Sequence, residues 1–323
     1  MKDTFFEEKL NKLKQINGED VELLMESAEA DSDELANWQV LTNEFFNLGM
    51  LSEVLVIIDH VIGLGYDDED IWITKGIIYD LMENHQETIN CFKKVLEINP
   101  DDAELWAMIA NSYLQLDDIP KALESIGEGI KINSEIPKLW ATKGNILLSL
   151  DSEFDEALEC YNAALKLDPN DDDIWYDLSN AYSLNNQYSN ALDAIDQAIS
   201  INPDCSDNWF SKGIIFHYME RFKEAIEYIN MGLEMGTPDF DTWGALAYSY
   251  YNLKDYENAL DAINHALELE PDNSDLLMLR GMVSIELNMS KRTSKCEDKL
   301  FESDSKNYDE QIPYKGTTLD DFK

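Results

Sequence analysis

The sequence predicts an all-α protein, a solenoid of helix-turn-helix repeats, and two observations carry that prediction. All seven tryptophans, Trp38, Trp72, Trp106, Trp140, Trp175, Trp209 and Trp243, lie on one ruler, 34 residues apart except for one interval of 35. The residues around each tryptophan then recur in helical register. A fixed period of this length marks one structural unit copied in tandem.

The first helix of each unit is read from the tryptophan onward. Four residues on stand small residues: Thr42, Gly76, Ala110, Gly144, Ser179, Gly213 and Ala247. Seven on stand large ones: Phe45, Tyr79, Tyr113, Leu147, Tyr182, Phe216 and Tyr250. Offsets 0, 4 and 7 share one helix face, so the small residue admits a neighbouring helix between two large ones. A second helix follows with small or β-branched residues sixteen after Trp (Ala122, Ala191, Ala225 and Ala259 among them), Phe92 or isoleucines twenty after, and small residues at its close. Pro100, Pro169, Pro203 and Pro271 then end it, because proline cannot continue the hydrogen-bond ladder. The fourth unit is shifted by one residue at Leu150–Ser152–Glu153, between helices, where an insertion is tolerated.

Trp, small, aromatic, Ala, Phe or Ile, small and Pro in this order resemble the tetratricopeptide repeat family. Trp72-Ile73-Thr74-Lys75-Gly76, Trp140-Ala141-Thr142-Lys143-Gly144 and Trp209-Phe210-Ser211-Lys212-Gly213 resemble its Trp-x-x-Lys-Gly variant. The resemblance spans about residues 35–289 and implies a right-handed α-α superhelix. It divides 35–273 into seven repeats: 35–68, 69–102, 103–136, 137–171, 172–205, 206–239 and 240–273. The first repeat departs from the pattern at Thr42 and Val54 and lacks the closing proline, which Ser134 and Thr237 also replace in the third and sixth. Residues 1–34, with Phe6, Leu10 and Leu13 before Asn17-Gly18 and then Val21, Leu24, Met25 and Ala28, are expected to form a capping hairpin. Residues 274–289, with Leu277, Gly281 and Ser284 at the repeat positions, are expected to form a terminal helix or partial eighth repeat. Residues 290–323 have no such pattern and are expected to be a polar, disordered tail.

Composition narrows the function classes. With 24 basic and 66 acidic residues the net charge is −42, which repels phosphate backbones and anionic membranes alike. No nucleic-acid or membrane partner is expected, and a solvated acidic surface explains the charge as readily as a basic partner does. No apolar run reaches the length of a membrane span, and the N-terminus lacks a signal-peptide core, so a cytoplasmic protein is expected. Cys91, Cys160, Cys205 and Cys296 show no C-x-x-C spacing and read as free thiols. No nucleophile, phosphate-loop or metal-ligand motif appears, and His60, His85, His217 and His265 fall in different units. Acidic runs such as Asp67-Asp68-Glu69-Asp70 and Asp171-Asp172-Asp173 stand where first helices begin, as capping carboxylates do. Neither catalysis, a cofactor nor a bound metal is expected.

The candidate site is the inner face of the first helices, which in the resembling family lines a groove that holds peptides. Five residues after Trp the row includes Asn43, Asn111, Asn145 and Asn180. A carboxamide donates and accepts at once, so such a ladder suits an extended backbone; tolerated polar helix residues are the alternative. Tyr176, Phe210, His217, Tyr218, Tyr248 and Tyr251 add an aromatic section, read as ligand anchors or as inter-repeat packing. Two residues before Trp lies an acidic rim of Asp70, Glu104, Asp173, Asp207, Asp241 and Asp275, interrupted by Lys138. The expected groove lies over repeats three to six. The lysine by which chaperone-docking relatives grip a terminal carboxylate is replaced by Gln39, Ile73, Ala107 or Ala141, so that clamp is absent. The leading reading is a non-catalytic protein-interaction scaffold for an extended basic or mixed segment. The alternatives are a self-association module working through the solenoid ends, and an accessory subunit of an enzyme complex.

Overall fold

The structure is a computed structural model that describes residues 35–150 and 153–289. The expected capping hairpin and tail lie outside the described residues. Among the described residues there is no strand, and the chain is an all-α solenoid of antiparallel helix pairs. The pairs are α1 (Leu35–Asn47) with α2 (Leu51–Gly63), α3 (Glu69–Leu81) with α4 (His85–Ile98), α5 (Ala103–Gln115) with α6 (Ile119–Ile132), and α7 (Pro137–Leu148) with α8 (Phe154–Leu167). Then come α9 (Asp172–Leu184), α10 (Tyr188–Ile201), α11 (Ser206–Tyr218) with α12 (Phe222–Leu233), α13 (Phe240–Asn252) with α14 (Tyr256–Leu269), and α15 over residues 274–289. By packing the chain divides into two compact units, 1–177 and 178–323, so the division falls inside α9.

Carboxylates start the helices. Asp68, Asp102, Asp171 and Asp239 accept from the backbone N–H three residues on, at 3.2, 3.1, 3.2 and 2.8 Å, and so satisfy donors that the helix leaves open. Replacing Asp239 with alanine is expected to cost about 1 kcal/mol in urea unfolding, while Asp241→Ala, whose carboxylate caps nothing, costs much less.

The turn between paired helices recurs with one fixed conformation. Eleven residues after Trp the chain is left-handed at Gly49, Glu83, Asp117, Asn186, Glu220 and Lys254, with φ between 57° and 72°. The next N–H then reaches back to the carbonyl of the large residue seven after Trp, as from Asn84 to Tyr79 at 2.8 Å and from Arg221 to Phe216 at 2.9 Å. This closes the helix end with a Schellman bond.

Packing inside a pair is set by the small residues. A Cβ on Gly144 would stand 2.9 Å from the Tyr161 ring, and one on Gly213 would stand 2.5 Å from Ile229; Gly76 meets Phe92 in the same way. Each is the residue four after Trp facing the one twenty after, or twenty-one in the shifted repeat. The indole N–H donors of Trp140, Trp175 and Trp209 close the turn before their helix on the carbonyls of Ser134, Pro169 and Pro203, at 2.9, 3.0 and 2.8 Å.

At two junctions between adjacent pairs a lysine joins them. Lys75 of α3 meets Asp59 of α2 at 2.6 Å, and Lys212 of α11 meets Asp196 of α10 at 2.7 Å; both lysine side chains are only 13% exposed. Burial works against the charge on Lys75, but the hydrogen bond and charge of Asp59 hold its pKa above the ordinary lysine value. An aromatic face completes each clamp, Trp72 5.1 Å from the Lys75 ammonium and Tyr228 4.1 Å from that of Lys212.

Candidate functional site

In the first unit, the first-helix face carries Asn43 and Asn111, both exposed, and the exposed carboxylates Asp70, Glu104 and Asp173. Tyr176 is half-buried. A cleft of about 280 Å³ opens between α1, α2 and α3. Its floor is Trp38, Ile58, Val61 and Ile71, and its polar lining includes Asn43 and Asp70.

Asn145 is engaged on both ends of its carboxamide. The Tyr161 hydroxyl donates to its Oδ1, and its Nδ2 donates to Asp177 Oδ2 at 3.0 Å. Burial raises the Asp177 pKa, and Asp173 and Asp171 add to the rise, while the Asn145 hydrogen bond draws it back. Burial likewise pushes the Tyr161 phenol up, so it remains a donor. Two residues after Trp, where Asp177 stands, the other repeats have the uncharged Val40, Thr74, Met108, Thr142, Ser211 and Ala245. The expectation that the Asn145 carboxamide serves an extended ligand backbone is therefore corrected: it joins α7 to α8 and α9.

In the second unit, Asp207, Asp241 and Asp275 are exposed and Asn180 is half-buried, with Ser211 Oγ 3.5 Å from its Oδ1. His217 stands among Tyr218, Phe222 and Tyr248, with ring centroids 5.6, 5.9 and 6.5 Å away. Its Nδ1 lies 2.9 Å from Ser249 Oγ, whose single hydrogen is given to the Ala245 carbonyl at 2.7 Å. The ring must therefore donate from Nδ1, which leaves Nε2 as an acceptor in the neutral form. Burial lowers the His217 pKa and so favours that neutral form. Tyr218 is 60% exposed and stacks on Tyr188 at 6.2 Å; Tyr251 packs against Tyr256 at 6.0 Å.

Family models described as tetratricopeptide repeat match residues 69–102, 91–124, 172–205 and 240–273, and one described as TPR repeat matches 144–186. The chain carries tetratricopeptide repeats. No curated protein matches it in sequence. Among solved structures it is similar to the APC/C hetero-tetramer Cut9–Hcn1, with a TM-score of 0.62 and 16% identity over 81% of this chain and 52% of that one. It thus spans about half of that relative's length. A tetratricopeptide repeat protein from Parabacteroides merdae has a TM-score of 0.60 and 13% identity over 83% of this chain and 100% of that one. Pseudomonas aeruginosa pilF has a TM-score of 0.55 and 15% identity over 68% and 97%. At these identities the likeness is one of fold. The matched repeats support a protein-interaction scaffold as the coarse reading.

The repeat geometry also corrects the position of Phe210. One residue after Trp, Ala107, Ala141 and Phe210 are all buried. A Cβ on Gly232, the small residue closing α12, would stand 2.5 Å from the Phe210 ring. Phe210 is core, not an accessible anchor. Conversely Tyr188, Phe222 and Tyr256, which frame the aromatic face, were missed. They share the position thirteen after Trp, at the start of the second helix, and that periodic signal was present in the sequence. Among the described residues no group of side chains could hold a metal ion, and no helix is long and apolar enough to cross a membrane. Cys91 and Cys160 are buried, and burial raises the Cys91 thiol to about 11, which keeps it protonated and unreactive near neutrality.

Proposed function

We propose that the chain is a non-catalytic scaffold that binds an extended basic or mixed segment of a partner protein through the first-helix faces of its repeats, in their Trp-x-x-Lys-Gly form. The observation that carries this reading is the acidic row. Asp70, Glu104, Asp173, Asp207, Asp241 and Asp275 recur at one repeat position, all are exposed, and none forms an ion pair among the described residues. Burial and the charges of Asp172 and Asp171 raise the Asp173 pKa and outweigh the lowering by Lys138, so added positive charge there is favoured. Each unit supplies apolar contact beside its acids: the Trp38–Ile71 cleft in the first, and Tyr218 with Tyr248 and Tyr251 in the second.

A partner isolated by pull-down from native lysate and identified by mass spectrometry supplies the test peptide. Its affinity is expected to fall steeply with salt, since exposed charges are screened over about 8–10 Å at physiological ionic strength. Asp207→Asn with Asp241→Asn should slow association more than it speeds dissociation. An affinity indifferent to salt removes the acidic row from the mechanism.

One observation favours self-association as a second reading. On α15 Met278 and Ile285 share a face and are each 61% exposed. A sedimentation coefficient that rises with concentration supports that reading; a constant monomeric value opposes it.

A further inference from the structure

The lysine clamp occurs in three repeats and is complete in two. Lys75, Lys143 and Lys212 each stand three residues after Trp, and sixteen residues before them stand Asp59, Gly127 and Asp196. Lys143 keeps its aromatic partner, with Trp140 5.8 Å from its ammonium, but it has no ion-pair partner among the described residues. It is nonetheless half-buried. Gly127 lies inside α6, where glycine costs about 1 kcal/mol relative to alanine. Close packing does not explain its presence: a Cβ there would meet nothing within 4 Å, whereas one on Gly129 would stand 2.9 Å from the Ala103 carbonyl. The effect of Gly127 is an open notch where two other repeats place a carboxylate.

We propose that this notch is a receptor for an aspartate or glutamate side chain of a partner protein, whose carboxylate binds Lys143 as Asp59 binds Lys75. The inference rests on the scaffold reading but concerns a contact separate from the acidic row. A carboxylate is favoured over phosphate because the two complete clamps show the ammonium meeting a carboxylate at 2.6 and 2.7 Å, and because a dianion suffers more from the chain's −42 charge. That charge gives the site an unusual salt response. The short contact is little screened, while the repulsion from distant acids is screened within about a Debye length, so added salt does not weaken binding.

The test uses the full chain with its lysines reductively methylated with carbon-13, which keeps their charge, and N-acetyl-aspartate methylamide as probe. The Lys143 signal is assigned by its loss in Lys143→Arg. The probe is expected to shift that signal saturably while Lys75 and Lys212 stay still, with affinity unchanged or tighter as sodium chloride rises. Gly127→Ala, which leaves the notch open, should preserve the response. Gly127→Asp, which supplies the missing carboxylate, should weaken it at least about tenfold. An absent or unsaturable shift, an equal shift with sodium chloride alone, or an equal response in Gly127→Asp overturns the proposal. Because the probe is a single amino acid derivative, failure here leaves the acidic-row reading standing.

Discussion

Replacing Asn145 with alanine is expected to destabilise the first unit by about 3 kcal/mol, because each buried polar group left unpaired costs about 1–3 kcal/mol, more when it is charged. The carboxamide is a relay: it accepts from Tyr161 and donates to Asp177, so its loss strands a phenol and a carboxylate together. The deficit should depend on pH. Burial raises Asp177 above the ordinary carboxylate range, so the folded chain binds a proton there more readily than the unfolded one, and this contribution to stability grows as pH falls through the raised pKa. In the variant the drawing-back by Asn145 is lost and the protonated form is favoured further, so the gap to wild type should narrow with acidification. Urea unfolding at neutral pH and again at mildly acid pH measures both effects. Tyr161→Phe, which removes one partner and leaves the Asn145–Asp177 bond, should cost less. A wild-type midpoint for Asn145→Ala would show that the carboxamide carries no structural load and return it to the ligand face.

How far the sequence alone reaches is visible in this residue. The tryptophan ruler and the small-against-large complementarity, Gly76 with Phe92, Gly144 with Tyr161 and Gly213 with Ile229, follow from spacing because helical periodicity turns sequence distance into direction. The Asn145 contact does not, because it depends on which side chain an adjacent repeat happens to supply. Asp177 is an exception to its row, and a row-by-row reading averages such exceptions away. Phe210 was misplaced for a related reason. An offset of one from Trp lies between the inward stripe and the open face, and the tie is decided by Gly232, twenty-two residues on, which removes a side chain and admits the ring. The left-handed turn residue was hidden by its chemistry. Glu83, Asp117, Glu220 and Lys254 hold a conformation that glycine would signal. The capping carboxylates, by contrast, were legible, since their position before each apolar stripe has only a local cause.

The second large effect is expected at Gly213, where the cost of a side chain can be separated from the benefit of removing a glycine. Substituting alanine for glycine inside a helix gains up to about 1 kcal/mol when nothing obstructs the new methyl. Gly127 offers that open space, so Gly127→Ala should stabilise the chain. At Gly213 the added Cβ would stand 2.5 Å from Ile229 Cγ1 and 3.0 Å from both the Ala225 carbonyl and the Ile229 nitrogen. An isoleucine side chain can shift, but the two backbone atoms belong to the body of α12 and cannot move without separating α11 from α12. Gly213→Val adds two further methyl groups to the same contact and is expected to lose about 3 kcal/mol, the upper part of the range for overpacking. Because each repeat packs mainly on its neighbours, the damage should begin locally. Hydrogen exchange should speed first in α11 and α12, while the amides of α3 and α4 keep their wild-type protection. Uniform acceleration through the whole chain would instead mean that the solenoid unfolds as one block, and an unchanged pattern would mean that α11 and α12 do not approach as closely as Gly213 requires.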